Sequence, residues 1–199
     1  MQITNGTKNV AFVGIKHLNK PKDLAKFRRD IDSLRNYGYT IMYEGVHIGT
    51  KDSVVEDVIR RKFRRVTGFN LSAYLDATNI IANIFKVDGV IERSRYDEDI
   101  CADYSIDSIV LKYEELKGPI ILSKCDYQTR LDNNYSCTKT DRQNIIFMTQ
   151  TLSDNKLLAE IIRHPNNKIA VLFGAAHRQD LYEKLKKHES SYTITHAYN

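Results

Sequence analysis

Two histidines follow apolar, strand-like runs through the same short motif. His17 ends the segment VAFVGIKH and His177 ends the segment IAVLFGAAH, so that each is Gly-x-x-His with Gly14 or Gly174 as its glycine. Glycine tolerates the backbone conformations with which a chain turns off the edge of a sheet. Open α/β sheets bind ligands beyond the carboxyl ends of their strands. The two motifs therefore predict a single site that both histidines share, against the simpler interpretation of two unrelated surface histidines.

A carboxylate follows a third strand-like run in the same manner. The segment YTIMY at Tyr39–Tyr43 leads directly into Glu44 and Gly45. Two imidazoles and a carboxylate suit a divalent metal such as zinc, manganese or cobalt, and they equally suit general acid–base chemistry without a metal. By itself, Glu44 is explained as well by a helix cap or a salt bridge to an arginine. His47, three residues further on, is a weaker candidate for the same site.

Four short motifs in order carry a resemblance to a known family. They are FVGIKH near the start, YEGV after the second strand, DRQN at the opening of a late helix, and VLFGAAH before an amphipathic helix. Together, from Asn9 to Leu185, they resemble the TraB/Tiki/GumN family, which shares a superfamily with erythromycin esterases and ChaN-like haem-binding proteins. The resemblance implies a site that consists of Gly14, His17, Glu44, Asp103, Arg142, Gly174 and His177.

The resemblance also implies an activity. Tiki-type members are metal-dependent proteases and esterase relatives act on other bonds, so the chain is expected to hydrolyse a peptide or ester bond. The leading hypothesis is a divalent metal (Zn, Mn or Co) at His17, His177 and Glu44, with Glu44 either a ligand or the general base. Arg142 would bind the developing oxyanion or a substrate carboxylate. In the metal-free version a histidine takes the proton of the attacking water instead. Lys16 and the segment RQD after His177 add charge that relatives lack. The alternative is a non-catalytic or regulatory module that holds a small ligand in the same cleft.

The order of apolar runs and amphipathic segments predicts one α/β domain over residues 1–199, with a mostly parallel (mixed) central sheet flanked by helices. The expected strands are Lys8–Gly14, Tyr39–Tyr43, Ile120–Leu122, Ile169–Phe173 and Tyr192–Tyr198. The expected helices are Lys22–Tyr37, Ser53–Val66, Leu71–Phe85, Ser105–Lys117, Thr140–Leu152, Asn155–Arg163 and His177–Lys187. The stretches 88–103 and 125–139 are polar and are expected to be irregular, the second as a long surface loop.

Composition limits the class of protein. Among 199 residues of net charge +5, no apolar run approaches the roughly 20 residues that span a bilayer, and the polar N-terminus lacks the features of a signal peptide. A cytoplasmic protein with no membrane partner is expected, and a homo-oligomer is left open. Cys101, Cys125 and Cys137 include no Cys-x-x-Cys pair, so reduced cysteines are expected.

The basic run RRKFRR at 60–65 is expected to be the solvated face of an amphipathic helix. A phosphate-bearing or acidic partner is the alternative interpretation of this run. Nucleic acid is not an expected partner, because no nucleic-acid-binding motif or set of stacking aromatic residues accompanies the run. The expected partner of the chain as a whole is a small-molecule or peptide substrate.

Overall fold

The computed structural model describes residues 1–15, 18–19, 21–45, 47–70, 88–89 and 98–196. The chain divides into two units, unit 1 with Met1–Gly45, Ala82–Asp103 and Lys156–Asn199, and unit 2 with Val46–Ile81 and Tyr104–Asn155. Among the described helices, none is long and apolar enough to cross a membrane. These helices are α1 (Pro21–Asn36), α2 (Ser53–Thr67), α3 (Ile106–Lys117), α4 (Lys124–Gln128), α5 (Arg142–Ile146), a π-helix (Phe147–Thr151), α6 (Leu152–Arg163) and α7 (His177–His188).

Unit 1 is built on a mixed sheet. The described strands are β1 (Gln2–Thr4), β2 (Asn9–Ile15), β3 (Leu18–Asn19), β4 (Thr40–Tyr43), β5 (Asp88–Gly89), β6 (Ile100–Cys101), β7 (Lys168–Gly174) and β8 (Thr193–His196). Six of them form one sheet in the order β6-β4-β7-β2-β1-β8, and β3 pairs with β5 alone. Neighbours from β6 to β2 are parallel, whereas β1 is antiparallel to β2 and β8. The predicted α/β class with a mostly parallel sheet is confirmed.

The central strand β7 is buried on both faces, which explains its continuous apolar sequence. Its side chains alternate between two core clusters: Leu172 packs with Ile31 of α1, and Val171 packs with Leu157 of α6 and Leu181 of α7. Burying one such side chain stabilises the fold by about 1.5–3 kcal/mol. Helices on both faces therefore hold β7 in place, and with it the residues at the carboxyl end of the strand.

The strand register brings several carboxyl ends together. Gly14 of β2 lies opposite Phe173 of β7, and Tyr43 of β4 lies opposite both Leu172 of β7 and Cys101 of β6. Because these four strands are parallel, the residues that follow them emerge at one edge of the sheet. This is the edge at which the sequence predicts a site.

The core of unit 2 is helical. Asp52 caps the start of α2, because its side chain accepts hydrogen bonds from the N–H groups of Val54 and Val55. Gly68, whose φ of 73° suits glycine, caps the end of the helix. Its apolar side chains pack with those of α3, the π-helix and the start of α6. The buried residues of this core are Ile59, Phe63, Ile106, Ile109, Val110, Tyr113, Ile120, Met148 and Leu152.

Three arginines of α2 hold a later segment of unit 2. We call Arg61, Arg64 and Arg65 the arginine clamp and residues 124–137 the clamped segment. Arg64 is 1% exposed, and its guanidinium donates to the carbonyl oxygens of Arg130 at 2.6 Å and Thr129 at 2.9 Å. The basic run is thus not simply a solvated helix face, and for Arg64 that prediction is wrong.

The other two arginines of the clamp contact the first turn of the clamped segment. Arg61 donates to the carbonyl oxygen of Asp126 at 2.5 Å, and Arg65 donates to the Asp126 carboxylate at 2.5 Å. That carboxylate also accepts the Tyr135 hydroxyl at 2.5 Å, and the Tyr135 ring lies 4.7 Å from the guanidinium carbon of Arg64. Charge-assisted hydrogen bonds to buried acceptors are stronger than neutral ones, so the clamp fixes a segment with few apolar side chains.

Burial and then the hydrogen bond to Asp126 raise the pKa of Tyr135 to about 12, from an ordinary value of 10.0. Since the folded chain favours the neutral phenol, its contribution to stability is complete below pH 10 and is lost as the pH rises towards 12. We expect the Cζ resonance of Tyr135 to titrate near pH 12 in a ¹³C NMR experiment, with Tyr135→Phe used for assignment. Ionisation near pH 10 would contradict the described hydrogen bond.

Two of the cysteines are paired. Cys125 and Cys137 form a disulfide with a Cα–Cα distance of 5.7 Å, and Cys101 is a free thiol. The prediction of three reduced cysteines is therefore wrong for this pair. The spacing of 12 residues carries no signal by itself, because the fold of the clamped segment brings the two Cα atoms together. Structural disulfides are rare in the cytosol, and a cytoplasmic location stays a prediction.

Two predicted elements of unit 2 differ in the structure. Residues 120–122 form no strand, because the N–H of Ile120 donates to the Glu114 carboxylate at 2.8 Å instead of to a neighbouring strand. The predicted surface loop 125–139 begins with α4, which Ser123 and Asp126 open with reciprocal side-chain to backbone hydrogen bonds. Both differences arise from local side-chain hydrogen bonds that hydrophobic periodicity does not detect.

The predicted break between two late helices is also absent. Residues 142–163 form one helical run in which the π-helix links α5 to α6. Ser153 and Asp154, which look like a break, are buried in the folded chain. In the stretch 88–103, expected to be irregular, β5 and β6 are strands. The predicted helix Leu71–Phe85 lies outside the described residues.

Candidate functional site

Glu44 and His177 meet at the carboxyl edge of the unit 1 sheet. Glu44 directly follows β4, and its N–H continues the ladder by donating to the carbonyl oxygen of Leu172 at 2.9 Å. His177 is the first residue of α7, three residues beyond the end of β7. Glu44 Oε1 lies 3.9 Å from His177 Nε2, and the two side chains are 16% and 8% exposed. The fold thus brings together a carboxylate and an imidazole that lie far apart in the sequence.

The second oxygen of Glu44 is fixed by the backbone. The N–H of Gly174 donates to Glu44 Oε2 at 2.6 Å. A Cβ on residue 174 would lie 3.3 Å from that oxygen and 3.6 Å from His177 Cδ2. Glycine at this position therefore leaves room for the carboxylate beside the strand and for the imidazole beyond it. With one oxygen held, the other faces the imidazole.

Gly14 also serves close approach. A Cβ on Gly14 would lie 3.3 Å from the Cβ of Ala175, in the turn between β7 and α7. Neither Gly14 nor Gly174 has a positive φ, and both are still part of their strands. The prediction that these glycines turn the chain off the sheet is wrong. Both positions need a residue without a side chain, because the ends of β2 and β7 and the turn after β7 lie close together there.

An aromatic side chain that the sequence did not single out orients the imidazole. The ring of Phe173 lies edge-on to His177, with centroids 5.6 Å apart and planes at 80°. Aromatic pairs favour this arrangement. Phe173 is fully buried, so its ring is held in place and limits the orientations of the imidazole. The sequence feature that could have predicted this contact is an aromatic residue four positions before the histidine, near the end of a buried strand.

Asp103 lies beyond the end of β6, the strand beside β4. It is buried, and its carbonyl oxygen accepts hydrogen bonds from the Lys156 ammonium and the Cys101 thiol. Cys101 in turn lies against Gly45, where an added Cβ would come within 2.8 Å of its sulfur. The sequence did not predict that the free thiol of Cys101 lies at this edge. The strand before Asp103 has only two residues and lies in a charged stretch, so it shows no hydrophobic periodicity.

The remaining predicted residues lie in unit 2 or outside the described residues. His17 lies outside the described residues, so its predicted role stays a prediction. Arg142 belongs to unit 2, where it is exposed and opens α5 after Asp141, whose side chain accepts the N–H of Gln143. His47, the weaker candidate, also belongs to unit 2 and is exposed.

A carboxylate and an imidazole are suitable donors for zinc, manganese or cobalt. In the part of the chain that is described, no group of three or more His, Cys, Asp or Glu side chains is arranged to hold a metal ion. Two ligands of a tetrahedral ion lie about 3.3–3.6 Å apart, given metal–ligand distances of about 2.0–2.2 Å. The 3.9 Å between Glu44 Oε1 and His177 Nε2 is slightly longer than that. The donor types of the pair suit two ligands of the predicted set, and the third predicted ligand, His17, lies outside the described residues.

Comparison of the chain with protein-family models, with curated proteins and with solved structures finds no match in any of the three. The TraB/Tiki/GumN resemblance therefore stays a prediction that rests on the four motifs.

Proposed function

We propose that the chain is a hydrolase of peptide or ester bonds whose acid–base pair is Glu44 and His177. The observation that supports the proposal best is the 3.9 Å approach of Glu44 Oε1 to His177 Nε2 at a sheet edge of the kind where α/β proteins bind ligands. The mostly buried carboxylate and imidazole converge there from two different strand ends. Ala175 and Ala176, in the turn beside them, are exposed, so a substrate has access to this edge.

The separation of the pair suits a shared water molecule. A distance of 3.9 Å is too long for a direct hydrogen bond, for which N···O is about 2.7–3.2 Å. One water oxygen can lie about 2.8 Å from both atoms, a normal bridging geometry. In the proposed reaction this water is the nucleophile that attacks the carbonyl carbon of the scissile bond.

Glu44 takes the role of general base. Its Oε1 accepts a proton from the attacking water, while Oε2 stays hydrogen-bonded to the N–H of Gly174. Holding one oxygen removes a rotational freedom of the carboxylate and keeps the other aimed at the water. His177 Nε2 then donates a proton to the leaving group, with Phe173 limiting rotation of its ring. Arg142 has no step in the proposed reaction.

The proposed site could also hold the predicted divalent metal. Glu44 and His177, with His17, would hold it. When bound, a divalent ion polarises the scissile carbonyl and lowers the pKa of a coordinated water. With an ion bound, Glu44 Oε1 and His177 Nε2 would be ligands instead of proton acceptor and proton donor. The Gly174 N–H would hold Glu44 Oε2 in both versions.

The test is an assay on internally quenched peptides and p-nitrophenyl esters, with and without added Zn²⁺, Mn²⁺ or Co²⁺. We expect turnover that His177→Ala lowers by at least about 100-fold, the usual scale for a general acid or base. Elemental analysis of the wild type beside the His17→Ala/His177→Ala variant is the second readout. A stoichiometric divalent metal that is lost in the variant would support the predicted ligand set.

The matched control is His188→Ala, which removes an exposed histidine at the other end of α7. Its turnover and metal content should equal those of the wild type. If the wild type cleaves nothing in the panel but binds a ligand that His177→Ala no longer binds, the hydrolase proposal is wrong. A ligand-binding module would then be the better interpretation of the site.

A further inference from the structure

We infer that the Cys125–Cys137 disulfide is a reducible latch, and that thiol reduction releases the clamped segment from the arginine clamp. The segment is poor in apolar side chains. A covalent bond joins its two ends, Cys125 and Cys137, to each other. Hydrogen bonds hold it against its surroundings: the guanidinium contacts from Arg61, Arg64 and Arg65, those from Ser123 to Asp126 and that from Asn70 to the carbonyl oxygen of Asn133. Only the covalent bond responds to a thiol.

The two sulfurs differ in access and surroundings. Cys125, on α4, is exposed, whereas Cys137 is half-buried. The Thr129 hydroxyl lies 3.2 Å from the sulfur of Cys137 and 3.9 Å from that of Cys125. An incoming thiolate therefore reaches Cys125 more easily. A departing thiolate on Cys137 has a hydroxyl that can donate a hydrogen bond to it.

The exchange follows from this asymmetry. The sulfur of a reducing dithiol attacks Cys125 Sγ, the S–S bond breaks, and Cys137 leaves as a thiolate with the electron pair. The second thiol of the reductant then displaces Cys125 and closes the reductant's own disulfide. The protein gains two electrons and two protons, and the dithiol loses the same number. A dithiol is thus the only co-reactant that the step requires.

Reduction changes how often the segment opens. A cross-link over a loop of this length lowers the conformational entropy of the open state. It therefore lowers the equilibrium constant for opening by roughly 100-fold. After reduction only the hydrogen bonds and ion pairs of the segment, chiefly those of the arginine clamp, oppose opening. The peptide bond after Arg130 reports on this, because its carbonyl oxygen accepts a hydrogen bond from Arg64 at 2.6 Å although the Arg130 side chain is 76% exposed. Trypsin cannot extend that bond into its cleft while the segment is held.

The experiment is limited trypsin digestion of the full chain with and without dithiothreitol, followed by mass spectrometry. We expect cleavage after Arg130 to accelerate on the order of 100-fold on reduction. The Cys125→Ser/Cys137→Ser variant should be cleaved at the fast rate without reductant. Cys101→Ser, which removes the free thiol in unit 1, should behave as the wild type in both conditions. With glutathione as a one-thiol probe, the mixed disulfide should form on Cys125.

Three results would overturn the inference. The first is an equal rate of cleavage after Arg130 in the oxidised and reduced chains. The second is acceleration of the same size after Lys186, an exposed residue of α7 in unit 1, because that indicates global unfolding instead of a local release. The third is glutathione found on Cys137 instead of Cys125.

Discussion

Glu44→Gln should lower hydrolysis by at least about 100-fold while leaving the fold intact. Glutamine has the shape of glutamate and retains a carbonyl oxygen, which can accept the Gly174 N–H in place of Oε2. It has no carboxylate to take a proton from water, and its amide N–H₂ would face His177 as a donor. The expected loss therefore lies in kcat, measured on whichever substrate of the peptide and ester panel the wild type cleaves.

The matched control for Glu44 is Glu183→Gln, an exposed glutamate of α7 in the same unit. Its kcat should equal that of the wild type. Circular dichroism and a urea titration should show that Glu44→Gln unfolds within about 1 kcal/mol of the wild type, since one hydrogen bond is exchanged for another. A Glu44→Gln variant with wild-type kcat would rule out Glu44 as the general base.

Asp126→Ala should reduce the free energy of unfolding of the chain by about 3–5 kcal/mol. Asp126 is fully buried, and its carboxylate accepts the N–H and hydroxyl of Ser123 at 2.7 and 2.6 Å. It also accepts the Tyr135 hydroxyl and pairs with Arg65. Alanine leaves these donors without their acceptor in a water-poor region, and it leaves the Arg65 charge uncompensated. Urea denaturation followed by circular dichroism measures the change.

The pH dependence supplies a second check on Asp126. Burial acts to raise the pKa of Asp126, but the hydrogen bonds from Ser123 and Tyr135 and the charge of Arg65 outweigh it, so that the pKa is lowered. The stabilisation by Asp126 is thus present above the ordinary aspartate pKa and is lost as the pH falls through the lower folded value. Asp126→Ala should therefore lose stability less steeply on acidification than the wild type.

Asp132→Ala is the control for Asp126 in the clamped segment. Asp132 is 53% exposed and pairs with the exposed Arg130, so its loss should cost less than about 1 kcal/mol. A similar loss for Asp126→Ala and Asp132→Ala would show that the contacts of the Asp126 carboxylate, with Arg65 among them, contribute little to stability.

The sequence predicted part of the candidate site, namely that Glu44 and His177 lie at one edge of the sheet. Glu44 directly follows the apolar run that forms β4, and His177 lies three residues after the run that forms β7. The parallel arrangement of β4 and β7 makes the ends of these strands neighbours. The hydrogen bond from Gly174 to Glu44, the edge-on contact of Phe173 and the crowding of Gly14 by Ala175 were not visible. Each depends on atoms brought within a few ångströms by the register of strands, which a one-dimensional pattern does not encode.

What the sequence by itself determined is the set of elements with strong periodicity. The runs that became β2, β4 and β7 and the amphipathic helices α1, α2, α3 and α7 carry local patterns that match their burial, because the hydrophobic effect selects the same spacing at every position along an element. Only the tertiary structure decided the arrangement of the polar residues. The sequence predicts that Arg64 is a solvated cation on a helix face. In the structure it is buried, because the clamped segment brings carbonyl oxygens to its guanidinium. Cys125 and Cys137 pair for the same reason: the partners of polar and sulfur atoms are set by contacts distant in the sequence.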